Sequence, residues 1–424
     1  MKIKQIRDLV KTNILNYTKS DKWDFINYLD TGNLINNKIL DIQRLNFDVD
    51  VIPSRAKRKA KKGDILYSTV RPNQRHFGYL TSDIENLLVS TGFAVLTPKN
   101  KETNFKFLYY FLTQNNIVDY LHSIAEGSVS TYPSIQTKDI EKIYINLPKL
   151  EFQNKIASIL SAYDDLIEVN NKKIKTLNEM AQEIYKEWFV RFRFPGHEKV
   201  EFQNSILGSI PQDFKILKIN DVLDDFIGGG WGEDDESSAF NTDAFVIRGT
   251  DFKNIENGIL DSCPYRWHKA SNFKSRQLKE NDFILEISGG TAEQPVGRAI
   301  IIEKEILDRF DNKVICASFC KLLRIKNEKI APFYFYYWLK YLYETKIIEQ
   351  FQLQSTGIIN FKFDYFLRKC NVLLPPKNIL DNFEKIVKPI RDKIQKLGFE
   401  NDKLIKQRDL LLPRLMSGNL DVKG

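Results

Sequence analysis

Four cysteines, Cys263, Cys316, Cys320 and Cys370, are spread through 424 residues, too few for a disulfide scaffold and without the paired CxxC spacing of a zinc ribbon. They are expected as reduced thiols in or near a core. The four histidines (His76, His122, His197, His268) lie far in sequence from the Cys316/Cys320 pair, so no metal site is expected there. The longest apolar stretch, Ala331 to Leu339, stops at Lys340, well short of the ~20 residues that span a bilayer. The basic start MKIKQIRDLV has no apolar run or small-residue cleavage site after it, which argues against a secretory signal and for a cytoplasmic location. Also missing are the G-x-x-x-x-G-K-[ST] loop, the H-E-x-x-H zinc helix and the G-x-S-x-G elbow. The Asn/Asp-Pro-Pro-aromatic signature with which amino-methyltransferases hold a flipped base is absent too. Catalysis by this chain alone is not expected.

Charge is the next guide. The net charge of +8 is unevenly spread: residues 1–150 sum to +7, 151–204 to −1, 205–376 to −2 and 377–424 to +4. An acidic partner such as DNA would meet the first segment broadly, and the third only through a local patch.

The chain repeats itself, the feature to seek before naming any fold. TGNLINNKIL (31–40) faces GTDFKNIENGIL (249–260), and GDILYST (63–69) faces NDFILEIS (281–288). STGFAVLTPKN from Ser90 faces ASFCKLLRIKN from Ala317, and the aromatic helix FKFLYYFL (105–112) faces FYFYYWLK (333–340). EGSVSTYPSI from Glu126 faces QSTGIINFKF from Gln354, and each copy closes on an apolar strand ending in proline, INLP (145–148) and VLLPP (372–376).

A long helix follows each copy. In the first, Ile156, Leu160, Tyr163, Ile167, Asn170, Ile174, Leu177, Ala181, Ile184 and Trp188 alternate at spacings of four and three, the seam of a coiled coil. Phe383, Val387, Ile390, Ile394, Leu397, Asn401, Leu404, Arg408, Leu411 and Leu415 do the same in the second. One asparagine interrupts each seam, a device that fixes register at some cost in stability. Pro195 and Gly196 are expected to stop the first helix, and Pro389 to kink the second or mark its start. Taken alone, such helices suit a core or a dimerisation element. Following each repeated domain, they suit antiparallel pairing within one chain, with the two domains at opposite ends and approximate two-fold symmetry, as used to address two half-sites.

Candidate DNA contacts cluster around the GDILYST strand. Arg55, Lys57, Arg58, Lys59, Lys61 and Lys62 precede it, and Ser68, Thr69, Arg71, Asn73, Gln74 and Arg75 follow. Lysine and arginine neutralise phosphates without reading sequence, whereas Arg, Asn and Gln can contact base edges in pairs of hydrogen bonds. A solvated basic loop is the plainer reading. The matching place in the second copy holds Ser288, Gly289, Gly290, Thr291, Gln294 and Arg298, with Arg248 upstream. The two glycines there fit close approach to a phosphate and an ordinary turn equally well. Loops bearing Ser128, Ser130, Thr131 and Tyr132, and Ser355, Thr356 and Asn360, are further candidates or plain turns. GGGWGEDDES (228–237) reads as a solvent-exposed acidic loop.

Over essentially its whole length the chain resembles the specificity subunits of type I restriction and modification enzymes. GDILYSTVRPN, LEISGGTAEQPVGR, the run from INLPKLEFQNKIASIL to EIYKEWFVRF, LGSIPQDFKILKINDVL (207–223) and RDLLLPRLMSGNLDV (408–422) carry the resemblance together. It implies an α+β chain: a first target recognition domain over 1–150, a helical spacer and linker over 151–204, a second recognition domain over 205–376 and a C-terminal helix over 377–424. It further implies that each domain reads half of a split DNA target and that the helices dock two modification subunits. S-adenosylmethionine would sit on those subunits, ATP and magnesium on a restriction subunit, and no cofactor or metal on this chain. Asn170, Ile174, Leu177, Ile184, Tyr185, Trp188 and Phe189, with Asn401, Leu404, Leu411, Leu412 and Leu415, would divide between the helix seam and partner contact. A self-contained methyltransferase or nuclease, and a coiled-coil adaptor without DNA affinity, are the alternatives.

Overall fold

The computed structural model describes residues 2–100, 102–127, 132–260, 262–291, 294–355 and 358–420. It forms two compact units, one of residues 1–166 with 404–424 and one of residues 167–403. Each long helix, Leu150–Tyr185 and Lys377–Ser417, contributes residues to both.

In the first unit, a four-stranded antiparallel sheet runs in the order Val10–Thr12, Phe93–Pro98, Ile65–Ser68, Phe77–Tyr79. Its two middle strands read FAVLTP and ILYS and bury all but the last proline, the near-continuous apolar pattern of strands covered on both faces. A second sheet orders Gln43–Asn46, Phe25–Leu29, Leu87–Ser90 and Ala56–Lys59, with Phe25–Leu29 and Leu87–Ser90 parallel. The helix Phe105–Leu112 starts on Asn104, whose side chain accepts a hydrogen bond from the Phe107 amide at 3.0 Å. Its aromatic residues enter the core together with Ile156, Leu160 and Leu415 of the long helices. Lys2–Gln5 pairs with the closing strand Tyr144–Leu147.

The second unit rebuilds the same plan. Leu223–Gly228, Cys320–Ile325, Phe283–Glu286 and Ala299–Ile301 form the four-stranded antiparallel sheet. Tyr265–His268, Thr242–Ile247 and Val314–Cys316 form the second, again with one parallel pair. Lys215–Lys218 pairs with the closing strand Asn371–Leu374. The helix Pro332–Glu344 buries Phe333 through Leu339, as the aromatic repeat predicts. All four cysteines are buried, and burial pushes the Cys316 and Cys370 thiols up to about 12, so those two stay protonated core groups.

The helices run antiparallel within each unit. In the second, Ile174 packs with Ile394 and Leu397, and the two seam asparagines meet: Asn170 Nδ2 donates to Asn401 Oδ1 at 3.0 Å, and Asn401 Nδ2 to Asn171 Oδ1 at 3.0 Å. In the first, Arg408 Nη1 reaches Asp164 Oδ1 at 2.5 Å, and Tyr110 of the aromatic helix donates to the other oxygen of Asp164 at 2.6 Å. Two expectations about helix ends need correction. The second helix begins at Lys377, not at Pro389. Pro389 and Lys385, whose carbonyl loses its partner, both lie on the exposed face, where water satisfies that group. The first helix ends before Pro195, through a π-turn over Lys186–Val190, with Phe192 at φ 56°.

One matched position separates the copies chemically. Gln153 Oε1 accepts from the Asn104 amide at 2.9 Å, at the start of the first aromatic helix. In the second copy Glu384 does this work, accepting from Phe333 and Tyr334 amides at 2.8 and 3.2 Å. Burial pushes its carboxyl up to about 7, against the lowering effect of those two amides. A carboxyl raised in the fold stabilises it fully below its unfolded value near 4.5, and that contribution is lost as pH rises through about 7. Glu384→Gln is therefore expected to flatten the decline in stability between about pH 5 and 8 and to raise the denaturation midpoint at pH 8. Urea titrations of both chains at several pH values check this, and parallel pH curves would refute it.

Candidate nucleic-acid interface

The candidate residues of the first unit lie on the turn Pro72–Gln74 and its flanks and along the strand Ala56–Lys59 and the residues beside it. Residues Pro72–Gln74 make a 3-10 turn flanked by Arg71 at φ 46° and Arg75 at φ 56°. Two non-glycine residues in the left-handed region on either side of one turn are uncommon, and such backbone strain concentrates where a side chain must be aimed. The loop is tied down on its far side: Arg71 N donates to Pro133 O at 2.9 Å, Ile135 N to Thr69 O at 2.8 Å, and Val70 bridges Ser134. Arg71, Asn73 and Gln74 are exposed. The Arg71 guanidinium lies 5.4 Å from the centre of the Tyr132 ring, itself 60% exposed. Arg75 Nη2 donates to Asn115 Oδ1 at 2.8 Å, a partner that the sequence did not flag, since it lies on the next helix, Asn115–Glu126.

The remaining candidates of this unit divide by role. Ser68 is buried and its hydroxyl donates to Val70 O at 2.9 Å, while the Thr69 hydroxyl donates to Gly92 O at 2.9 Å. Both shape the loop from within. Along the strand Ala56–Lys59, Lys59 pairs with Asp21 beside the Trp23 ring, and Arg58 is half-buried. Arg55, Lys57, Lys61 and Lys62 are exposed. Ser128, Ser130 and Thr131 lie outside the described residues.

In the second unit the two expected arginines are already committed. Arg298 makes a two-pronged pair with Glu286, Nε to Oε2 at 2.9 Å and Nη2 to Oε1 at 2.6 Å. Arg248 grips Asp251, which is 1% exposed, and donates to Ser262 O at 2.6 Å. Each pairing engages the Nε and Nη2 donors of its arginine. Ser288 and Asn360, opposite each other in a three-stranded sheet, hydrogen-bond through their side chains at 2.7 Å. Gly289 and Gly290 belong to the strand Ser288–Gly290, with Gly289 at φ 99°, and Thr291 and Gln294 close the turn after it with both exposed. Of Ser355 only the backbone is described, within the strand Gln352–Ser355, while Thr356 and Glu293 lie outside the described residues.

Phe319, 64% exposed, was missed. Its carbonyl accepts the Ile287 and Ser288 amides at 2.9 and 3.3 Å, the place that Gly92 fills in the first unit. Matching STGF with ASFC holds the signal: a solvent-facing phenylalanine stands where the other copy has glycine. In the acidic loop, Glu233 bridges Trp267, and Arg266 lies 4.8 Å from the Trp231 ring. Among the described residues no group of three or more His, Cys, Asp or Glu side chains can hold a metal, and no helix is long and apolar enough to cross a membrane.

Residues 1–179 match the type I restriction modification DNA specificity domain. The chain is 26% identical to the type I restriction enzyme HindI specificity subunit of Haemophilus influenzae, over 93% of this chain and 94% of that one. The chain is thus similar to type I specificity subunits over most of its length. Identity to the type I restriction enzyme MjaIX specificity subunit of Methanocaldococcus jannaschii is also 26%, over 85% of this chain and 78% of that subunit. The S subunit of a type I restriction-modification system from M. genitalium shares the fold, with a TM-score of 0.55 at 15% identity over 98% and 95% of the two chains.

The candidate helix residues fall into two groups. Tyr185, Trp188 and Phe189 are buried against Tyr334 and Phe383 in the core of the second unit, with Ile184 packed at its edge. Leu177 flanks the Ile174 cluster, and Leu411 and Leu412 flank the core of the first unit, where Leu415 is buried. Leu404 is half-buried.

Proposed function

We propose that this chain is the DNA-recognition subunit of a type I restriction-modification complex and performs no catalysis itself. The observation that carries this reading is one scaffold used twice with different exposed chemistry at the matched place: Arg71, Asn73, Gln74 and Tyr132 in one unit, Thr291, Gln294 and Phe319 in the other. Duplicated frames with unlike contact residues suit two different half-sites of one split target. Leu166, Val169, Met180 and Leu410 on the long helices are 45–65% exposed, apolar surface that supports docking of modification subunits. S-adenosylmethionine, ATP and magnesium then belong to the partner subunits.

The test is to express the chain with its modification subunit and map modified bases in host DNA at single-base resolution. A two-part motif with a fixed gap is the expected result. An intact complex that modifies nothing and binds no duplex would leave the adaptor reading. Labelled S-adenosylmethionine bound by the chain alone would favour an enzyme.

A further inference from the structure

We propose that Arg71 reads a guanine in the half-site met by the first unit, with Tyr132 as the platform that holds its guanidinium in place. This rests on the DNA-recognition reading and adds to it which side chain reads a base, and which base.

Four observations converge on Arg71. Its guanidinium has no hydrogen-bond partner among the described residues, whereas Arg75 is tied to Asn115, Arg298 to Glu286 and Arg248 to Asp251. It sits 5.4 Å from the Tyr132 ring centre, a cation–π contact that orients the group while leaving its N–H edge open. Its backbone is fixed on both sides, donating to Pro133 O and accepting from the Gln74 amide, each at 2.9 Å. The residue also holds a left-handed φ of 46°. That conformation is uncommon for an arginine, and the two backbone hydrogen bonds hold it there. A phosphate contact needs none of this, since a flexible lysine makes it equally well. A guanidinium beside an aromatic ring, with its N–H edge unpaired among the described residues, matches the N7 and O6 acceptors of guanine, the pairing that arginine makes most often in the major groove. Adenine offers a donor where guanine offers O6, so the same geometry rejects it.

The experiment compares the full-length chain with Arg71→Lys, Arg71→Ala and Tyr132→Ala, each in complex with modification subunits, on a randomised duplex library and by mapping modified host DNA. The wild type should select a split motif with a G·C pair in one half. Both Arg71 variants should lose preference at that single pair by about 10- to 100-fold and keep every other position, and Tyr132→Ala should give a weaker loss at the same pair. Arg71→Lys keeps the charge, so its failure at one pair separates base reading from phosphate attraction. Unchanged motifs in both Arg71 variants, or an equal loss on all sequences, would overturn the proposal while leaving DNA recognition standing. A wild-type complex that selects no split motif would overturn both.

Discussion

Arg391→Ala is expected to destabilise the second unit by about 3–5 kcal/mol, the usual penalty for stranding one member of a buried ion pair. Arg391 is 1% exposed and lies on the second long helix. It donates to Glu303 Oε1 at 2.5 Å, to Glu256 O at 3.1 Å and to Asn178 Oδ1 of the first helix at 3.0 Å. Gln395 adds a second donor to the same Glu303 oxygen at 2.9 Å. One guanidinium thus joins both helices to the globular part of its unit, and burial's pull towards the neutral form is outweighed by Glu303. Remove it, and Glu303, 4% exposed, keeps a charge with only an amide beside it. Close backbone approach reinforces the joint: a Cβ on Gly398 would stand 2.0 Å from Asn257 O. Hydrogen exchange resolved by segment is the suitable measurement, because a chain of two units need not unfold in one step. Protection should fall throughout 205–376 and persist in 2–147. A loss under 1 kcal/mol, or one spread evenly over both units, would show that the ion pair does not hold the joint. Replacing Arg391 and Glu303 together by apolar residues should recover part of the loss, and the double-mutant cycle measures how much belongs to the pair.

That joint was invisible in the sequence for a physical reason. Arg391, Glu303 and Asn178 are separated by 88 to 213 positions, and none belongs to a periodic pattern. Periodicity did expose what it governs: alternating seams, the two buried aromatic helices and the doubled order of strands. Asn170 and Asn401 stood out because each breaks an apolar seam, and a lone buried amide must find a partner. Proline misled for the converse reason. Its missing N–H matters only where the orphaned carbonyl is buried, and neither Pro389 nor Lys385 is. At the candidate interface, residue type located the loop but not its state. Arg71 and Arg298 are equally good base readers on paper, yet one lies beside a tyrosine ring with no hydrogen-bond partner among the described residues while the other is paired with a carboxylate.

That difference yields the second large effect, expected for Arg298→Ala. Glu286 is 6% exposed and sits at the end of the central strand Phe283–Glu286. Without Arg298 it would carry an unpaired charge beside the Cys320 and Val296 core positions, which are 0% exposed. The expected loss is toward the lower end of about 3–5 kcal/mol, since Arg298 itself is 19% exposed and water can partly replace it. Functionally the signature should be a less stable second unit whose surviving fraction keeps the wild-type target, in contrast to Arg71→Ala, where the fold persists and one base pair is relaxed. Restoring the loss with Arg298→Met in a Glu286→Gln background would support a structural role, because a neutral amide tolerates the site once its charged partner is gone. A changed base preference in the second half-site, at unaltered stability, would instead make Arg298 a reader that releases Glu286 when DNA arrives. The Glu286 carboxylate would then be the competitor that guanine displaces, a switch that the stable Arg248–Asp251 pair on the same unit could not share with Asp251 at 1% exposure.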